Sequence, residues 1–135
     1  MTAAALLNTV RAHGLRVSAA RRSVLDALLA ADRPLTAEEI AGGADIASTY
    51  RNLDALETIG VVRHVHLGHG PGRYALSSRS GAWASCEDCG RSTPIEPEAL
   101  LRIRESIHET CGFDAWFGHF PIVGRCPDCI SSPPA

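Results

Sequence analysis

The 135-residue chain carries 13 basic and 15 acidic side chains, six His and five Cys, for a net charge of −2. Residues of the AVILMFWYC class make up 45% and aromatics 5%, which excludes disorder and fits one folded domain or two small ones. No apolar run approaches the roughly 18 residues of a membrane helix.

The first elements are helical. Leu6, Leu7 and Val10 repeat at helical spacing, and Gly14 ends that helix. Ser18 can cap a second helix with Val24, Leu25, Leu28 and Leu29 on its apolar face. Thr36-Ala37-Glu38-Glu39 fits a capping box opening a short third helix that ends at Gly42-Gly43. Asp45 can cap a fourth, with Ile46, Leu53 and Leu56 inward and Gly60 closing it. The period then falls from 3.6 to 2. Val61–His66 and Arg73–Leu76 read as strands joined by the Gly-rich turn 68–72. Short helices followed by a hairpin is the order of a winged helix-turn-helix, whose fourth helix here would enter the DNA major groove. Ser48, Thr49, Tyr50, Arg51 and Asn52 lie near the start of that helix, where bases are read. The alternative is that Tyr50 packs in a core and Arg51 is a solvated charge.

Ser77-Ser78-Arg79-Ser80-Gly81 has linker composition. It also divides the charge. Residues 1–79 hold nine Arg against seven acids, a balance of +2, and residues 80–135 hold four Arg against eight acids, a balance of −4. The reading is a winged-helix domain over 1–78, a hinge over 79–81 and a second domain over 82–135. In that second domain Cys86-Glu87-Asp88-Cys89 and Cys126-Pro127-Asp128-Cys129 are two C-x-x-C knuckles. Four thiolates form a closed tetrahedral shell, so Cys86, Cys89, Cys126 and Cys129 are expected to hold a structural Zn2+. A domain of about 50 residues has little core, and metal can supply the missing folding energy. The Ala3–Leu7 patch is too short for a secretion signal, so a cytoplasmic location is expected, with metal favoured over disulfide. Cys111 reads as a small apolar core residue. Arg91–Glu96 suits a strand, Pro97 opens a helix bearing Leu100, Ile103 and Ile107, and Trp116–Val123 reads as a returning strand. The expected class is therefore α+β, and a sheet with one helix leaves a face that a homodimer would cover. No H-x-E stands beside an open metal position, so no enzyme and no small-molecule substrate are expected.

With these residues in view, the chain resembles the ferric uptake regulator (Fur) family over nearly its full length. The resemblance rests on Gly14-Leu15-Arg16-Val17-Ser18, Arg21, Leu35-Thr36-Ala37-Glu38-Glu39-Ile40, Ser48-Thr49-Tyr50-Arg51-Asn52-Leu53, Arg73-Tyr74, both knuckles with Gly90, and Cys111-Gly112-Phe113. It implies a homodimeric repressor binding a palindromic double-stranded DNA operator, a structural zinc, and a second, regulatory divalent metal. It also implies that Arg16 reaches the minor groove, Arg21 contacts the DNA backbone, and Tyr50 and Arg51 read bases. One segment departs. Where members carry H-H-x-H-L-x-C, this chain has Ser80-Gly81-Ala82-Trp83-Ala84-Ser85-Cys86, and Arg33-Pro34 stands where a His is common. The remaining histidines are similar to those of the nickel-responsive Nur branch. The resemblance implies that His64, His66 and His119 hold a regulatory metal such as Ni2+ across the domain junction; His69 in the turn, or water, could complete the shell. Read without it, His64 and His66 are solvent-facing wing residues, and His13 and His108 are solvated. The rival readings are a constitutive regulator and one that senses thiol oxidation or peroxide through Cys111 or the knuckles.

Overall fold

The computed structural model describes residues 2–68, 70–79 and 81–132. The chain divides into two compact units, one of Met1–Val65 with Gly72–Arg79 and the other of His66–Pro71 with Ser80–Ala135. Sequence composition put the whole hairpin in the first domain. Its turn instead packs with the second unit, through contacts that a linker-composition argument does not see.

The first unit contains α1 (Ala3–Ala12), α2 (Ala19–Ala30), α3 (Ala37–Ala41), α4 (Ile46–Thr58), β1 (Val62–Val65) and β2 (Arg73–Leu76). Its helix starts are capped as the side chains dictate. Ser18 Oγ accepts from the Arg21 N–H, Asp45 from the Ser48 N–H, and Thr36 and Glu39 form a reciprocal capping box. Leu6, Val10, Leu25, Leu28, Leu53, Leu56, Val62 and Leu76 make one buried core. Each such side chain contributes roughly 1.5–3 kcal/mol on leaving water. Ile46 was expected inward and is 38% exposed, because it occupies the first turn of α4, beyond the reach of that core. β1 and β2 pair antiparallel with Val62 opposite Leu76, and Leu35 adds an isolated bridge to Tyr74. α2 ends without a glycine, and Arg79 takes over its last carbonyls, donating to Leu28 O at 3.3 Å and also to Leu29 O and Ala31 O. Arg79 is therefore anchored to the end of α2 in the first unit.

The second unit contains β3 (Ala82–Cys86), β4 (Ser92–Ile95), α5 (Pro97–Cys111), β5 (Ile122–Gly124) and α6 (Pro127–Ser131). The sheet order is β4-β3-β5, with β3 antiparallel to β4 and parallel to β5. α5 begins at Pro97, as the sequence predicts, and ends on Gly112 at φ 77°. The strand expected over Trp116–Val123 shrinks to Ile122–Gly124, because Gly118 and Pro121 interrupt ladder pairing before it. β3, the central strand, was not predicted, since its Ala-Trp-Ala-Ser run lacks branched residues. No residue of α5 is buried, so this unit has the thin core its length implies. No helix among the described residues is long and apolar enough to cross a membrane.

Candidate functional site

Pairing of β3 with β5 brings the two knuckles together. Cys86 ends β3, the turn after it carries Cys89, Cys126 caps α6, and Cys129 lies on that helix. Their four sulfurs lie within 4.8 Å of one another, and Cys89 Sγ is 3.7 Å from Cys126 Sγ. A tetrahedron with Zn–S near 2.3 Å has an S–S edge of about 3.8 Å, so the spacing fits zinc. The backbone supports the shell: Cys86 N–H donates to Arg91 O at 2.8 Å and Glu87 N–H to Gly124 O at 2.9 Å. Acid–base chemistry agrees. Backbone N–H groups of Cys89 and Cys126 lower the Cys86 thiol to about 6. Hydrogen bonding to Cys126 and Cys86 pushes the Cys129 thiol up to about 12. Four mutually close sulfurs cannot all ionise unaided, and a divalent cation removes that conflict. Among the described residues, these four cysteines are the one group of three or more His, Cys, Asp or Glu gathered closely enough to hold a metal. Cys111, expected as a core residue, is exposed at the end of α5, and its thiol donates to Ile107 O at 3.2 Å.

The histidines fall in two places. In the second unit the His66 N–H donates to His119 O at 2.9 Å, and their rings stand edge-on at 4.8 Å. Phe120 stacks on His66 at 5.6 Å and meets His119 edge-on at 4.5 Å. In the first unit His64 stacks on Tyr74 at 4.7 Å, and a Cβ at Gly72 would collide with its imidazole. His69 lies outside the described residues. His13 bonds Thr9 O at 2.8 Å, and His108 stands 3.6 Å from Asp114; both are exposed, as expected.

At the start of α4 the side chains divide by face. Tyr50 is 39% exposed, Arg51 is exposed with its guanidinium 4.0 Å from Asp45, and Ser48 is half-buried. Thr49 and Asn52, expected among the base-reading residues, are buried instead. Helical geometry turns them toward the core, three apart on one face. Thr49 Oγ1 donates to Asp45 O at 3.1 Å, and Asn52 Nδ2 donates to Ser48 O at 3.1 Å. Asn52 Oδ1 accepts from Arg21 Nε at 3.1 Å, and Arg21 also donates to Arg16 O at 2.7 Å. Arg21 is thus engaged twice within the protein, while the Arg16 side chain is exposed.

Sequence reasoning missed a second arginine cluster. Arg33 and Arg73 both donate to Glu39, Arg73 at 3.2 Å, joining α3 to β2. Arg33, with the Thr36 N–H behind it, lowers the Glu39 carboxyl to about 2. Glu39 was assigned to its capping box, which it also makes, and Arg33 lies only six residues away.

A helix-rich unit closed by a hairpin and a thinly packed unit bearing a cluster of four cysteines that fits a structural zinc make up a two-unit α+β protein. Residues 12–116 match the model of the Ferric uptake regulator family, and the chain belongs to that family of transcription regulators. It is 25% identical over 130 residues to the peroxide-responsive repressor PerR of Staphylococcus saprophyticus, a match covering 91% of this chain and 88% of that one. Among solved structures it is similar to the Helicobacter pylori ferric uptake regulator Fur, with a TM-score of 0.72 at 21% identity, covering 99% of this chain and 97% of that one. It is also similar to the Pseudomonas aeruginosa ferric uptake regulator with manganese, with a TM-score of 0.65 at 25% identity and coverage of 89% and 96%.

Proposed function

We propose that this chain is a cytoplasmic, metal-responsive repressor that binds a palindromic DNA operator as a homodimer. Arg16, Ser48, Tyr50 and Arg51 would touch DNA, with Arg21, Thr49 and Asn52 holding them in place. The winged-helix reading is supported by the element order and by exposure of Tyr50 and Arg51 at the start of α4. The dimer reading is supported by apolar side chains left open on the second unit, among them Trp116 at 79% and Phe113 at 70% exposed.

The observation that carries the metal reading is the His66–His119 pair, two exposed imidazoles in ring contact on the second unit. Imidazole suits nickel, zinc, iron and copper, and nickel is favoured by the likeness to the Nur branch. His64 enters as a third ligand on that likeness alone, and His69 or water would complete the shell. A metal drawing ligands from both units would shift their balance only by its preference for one arrangement, and about 3 kcal/mol gives roughly 150-fold in DNA affinity. The test is a gel-shift titration of demetallated protein with nickel, zinc, ferrous iron and manganese. Nickel should tighten operator binding at least tenfold, and His119→Ala should abolish that response while the cysteine-bound zinc stays. Equally tight binding without regulatory metal would favour a constitutive regulator. A second reading, peroxide response, is favoured by the likeness to the staphylococcal PerR. Release of DNA on peroxide treatment, accompanied by thiol loss at Cys111 or the knuckles, would select it.

A further inference from the structure

The two knuckles share a pattern that zinc ligation does not require. Each has the form C-x-D-C, and each Asp pairs with an arginine flanking the opposite knuckle. Asp88, in the first, accepts from Arg125 Nε at 2.7 Å; Arg125 immediately precedes the second. Asp128, in the second, accepts from Arg91 Nη1 at 3.1 Å; Arg91 follows the first by two residues. Arg125 also donates through Nη2 to Cys129 O at 2.8 Å, so one guanidinium spans both knuckles. We propose that these reciprocal Arg–Asp pairs form a latch that holds the knuckles closed and sets how fast zinc leaves the four cysteines.

The physical case has two parts. The segments supplying the thiols are 37 residues apart, and each knuckle alone offers two ligands. Zinc escapes by way of a state in which one knuckle has let go. A contact joining the knuckles is lost in that state and opposes reaching it. The second part is charge. A zinc tetrathiolate carries a net charge of about −2, and two acids beside it would add to the repulsion. Arg91 and Arg125 offset both acids while crossing between the segments.

The two pairs are not equal. Arg125 and Asp88 are 37% and 40% exposed, whereas Arg91 and Asp128 are 55% and 86% exposed. Solvent weakens the outer pair more, so the inner one should dominate.

The experiment follows zinc release from the full-length protein to a chromogenic chelator, with zinc content measured first. Asp88→Asn should release zinc about five- to tenfold faster than the parent, and Asp128→Asn at most about twofold faster. The charge-swapped variant Asp88→Arg/Arg125→Asp should return to within about threefold of the parent, since the pair is restored with reversed sign. Raising salt should shrink the difference between Asp88→Asn and the parent. Unchanged release from Asp88→Asn, or a swapped variant as fast as Asp88→Asn, overturns the latch while leaving the zinc assignment intact. Protein purified with no zinc on its cysteines overturns both.

Discussion

Removing the Asn52 side chain tests whether Arg21 is a strut or a phosphate contact. Asn52 is 8% exposed and bonds both Arg21 Nε and Ser48 O. Asn52→Ala leaves the guanidinium N–H without its acceptor, and a lost hydrogen bond to a charged group costs about 1.5–3 kcal/mol. For a cooperative unit of this size, 1 kcal/mol lowers Tm by about 4–8 °C, so a fall of roughly 6–24 °C is expected by calorimetry. DNA binding distinguishes the two roles of Arg21. A residue that neutralises a phosphate contributes about 0.9 to the slope of log K against log salt. Arg21 already donates to Asn52 and to Arg16 O, so Arg21→Ala should weaken binding while leaving that slope unchanged. Arg16→Ala, which removes an exposed cation, should flatten it. The double variant Arg21→Ala/Asn52→Ala should be little worse than either single, with a coupling of about 1–2 kcal/mol. A slope reduced by about one unit in Arg21→Ala, with additive losses in the double variant, would refute the strut.

Glu39 gives a pH signature. Its folded carboxyl sits at about 2, below an unfolded value near 4.5. The stability it contributes is therefore complete above about pH 4.5 and is lost as pH falls toward 2. Because Arg33, Arg73 and Glu39 remain about a third to a half exposed, the contribution should not exceed about 1 kcal/mol. Denaturant unfolding should show the parent and Glu39→Gln converging between pH 4.5 and 2; a constant difference would contradict the ion-pair account. Metal removal should act on one unit. Chelation under reducing conditions should abolish amide-exchange protection in β3, β4 and β5 while sparing α2 and α4, whose core contains no cysteine. Simultaneous loss in both units would contradict a zinc-stapled second unit.

The first unit was legible because each of its signals is local. Ser18, Thr36 and Asp45 cap helices three residues from their own N–H donors, and the spacing of Val24, Leu25 and Leu28 reports one apolar face. The cysteine knuckles were legible for the same reason, since each pair is spelled in four residues. What was missed depends on distant partners. β3 is a strand because β4 and β5 flank it, and its own residues carry little strand preference. Asn52 was placed among the base-reading residues from its position at the start of α4; its acceptor role is fixed by Arg21, 31 residues earlier. The arginine pairs at Asp88 and Asp128 each span 37 residues, and no local pattern reports them.

The hairpin turn sharpens what the charge boundary meant. Composition changes near residue 79, yet the chain enters the second unit first at His66 and leaves it at Pro71. Two contacts account for this. The His66 N–H bonds His119 O, and Gly68, at φ +60°, lies so near the first knuckle that a Cβ would stand 2.8 Å from Gly90 O. A side chain at 68 would have both the wrong backbone conformation and no room. Backbone packing, not charge, therefore assigns the turn. The strands on either side of the turn stay with the first unit, where β1 pairs with β2. Tyr74 on β2 in turn bridges to Leu35 at the entrance to α3. The charge boundary therefore marks where composition changes, and the backbone contacts of His66 and Gly68 mark where the packing does.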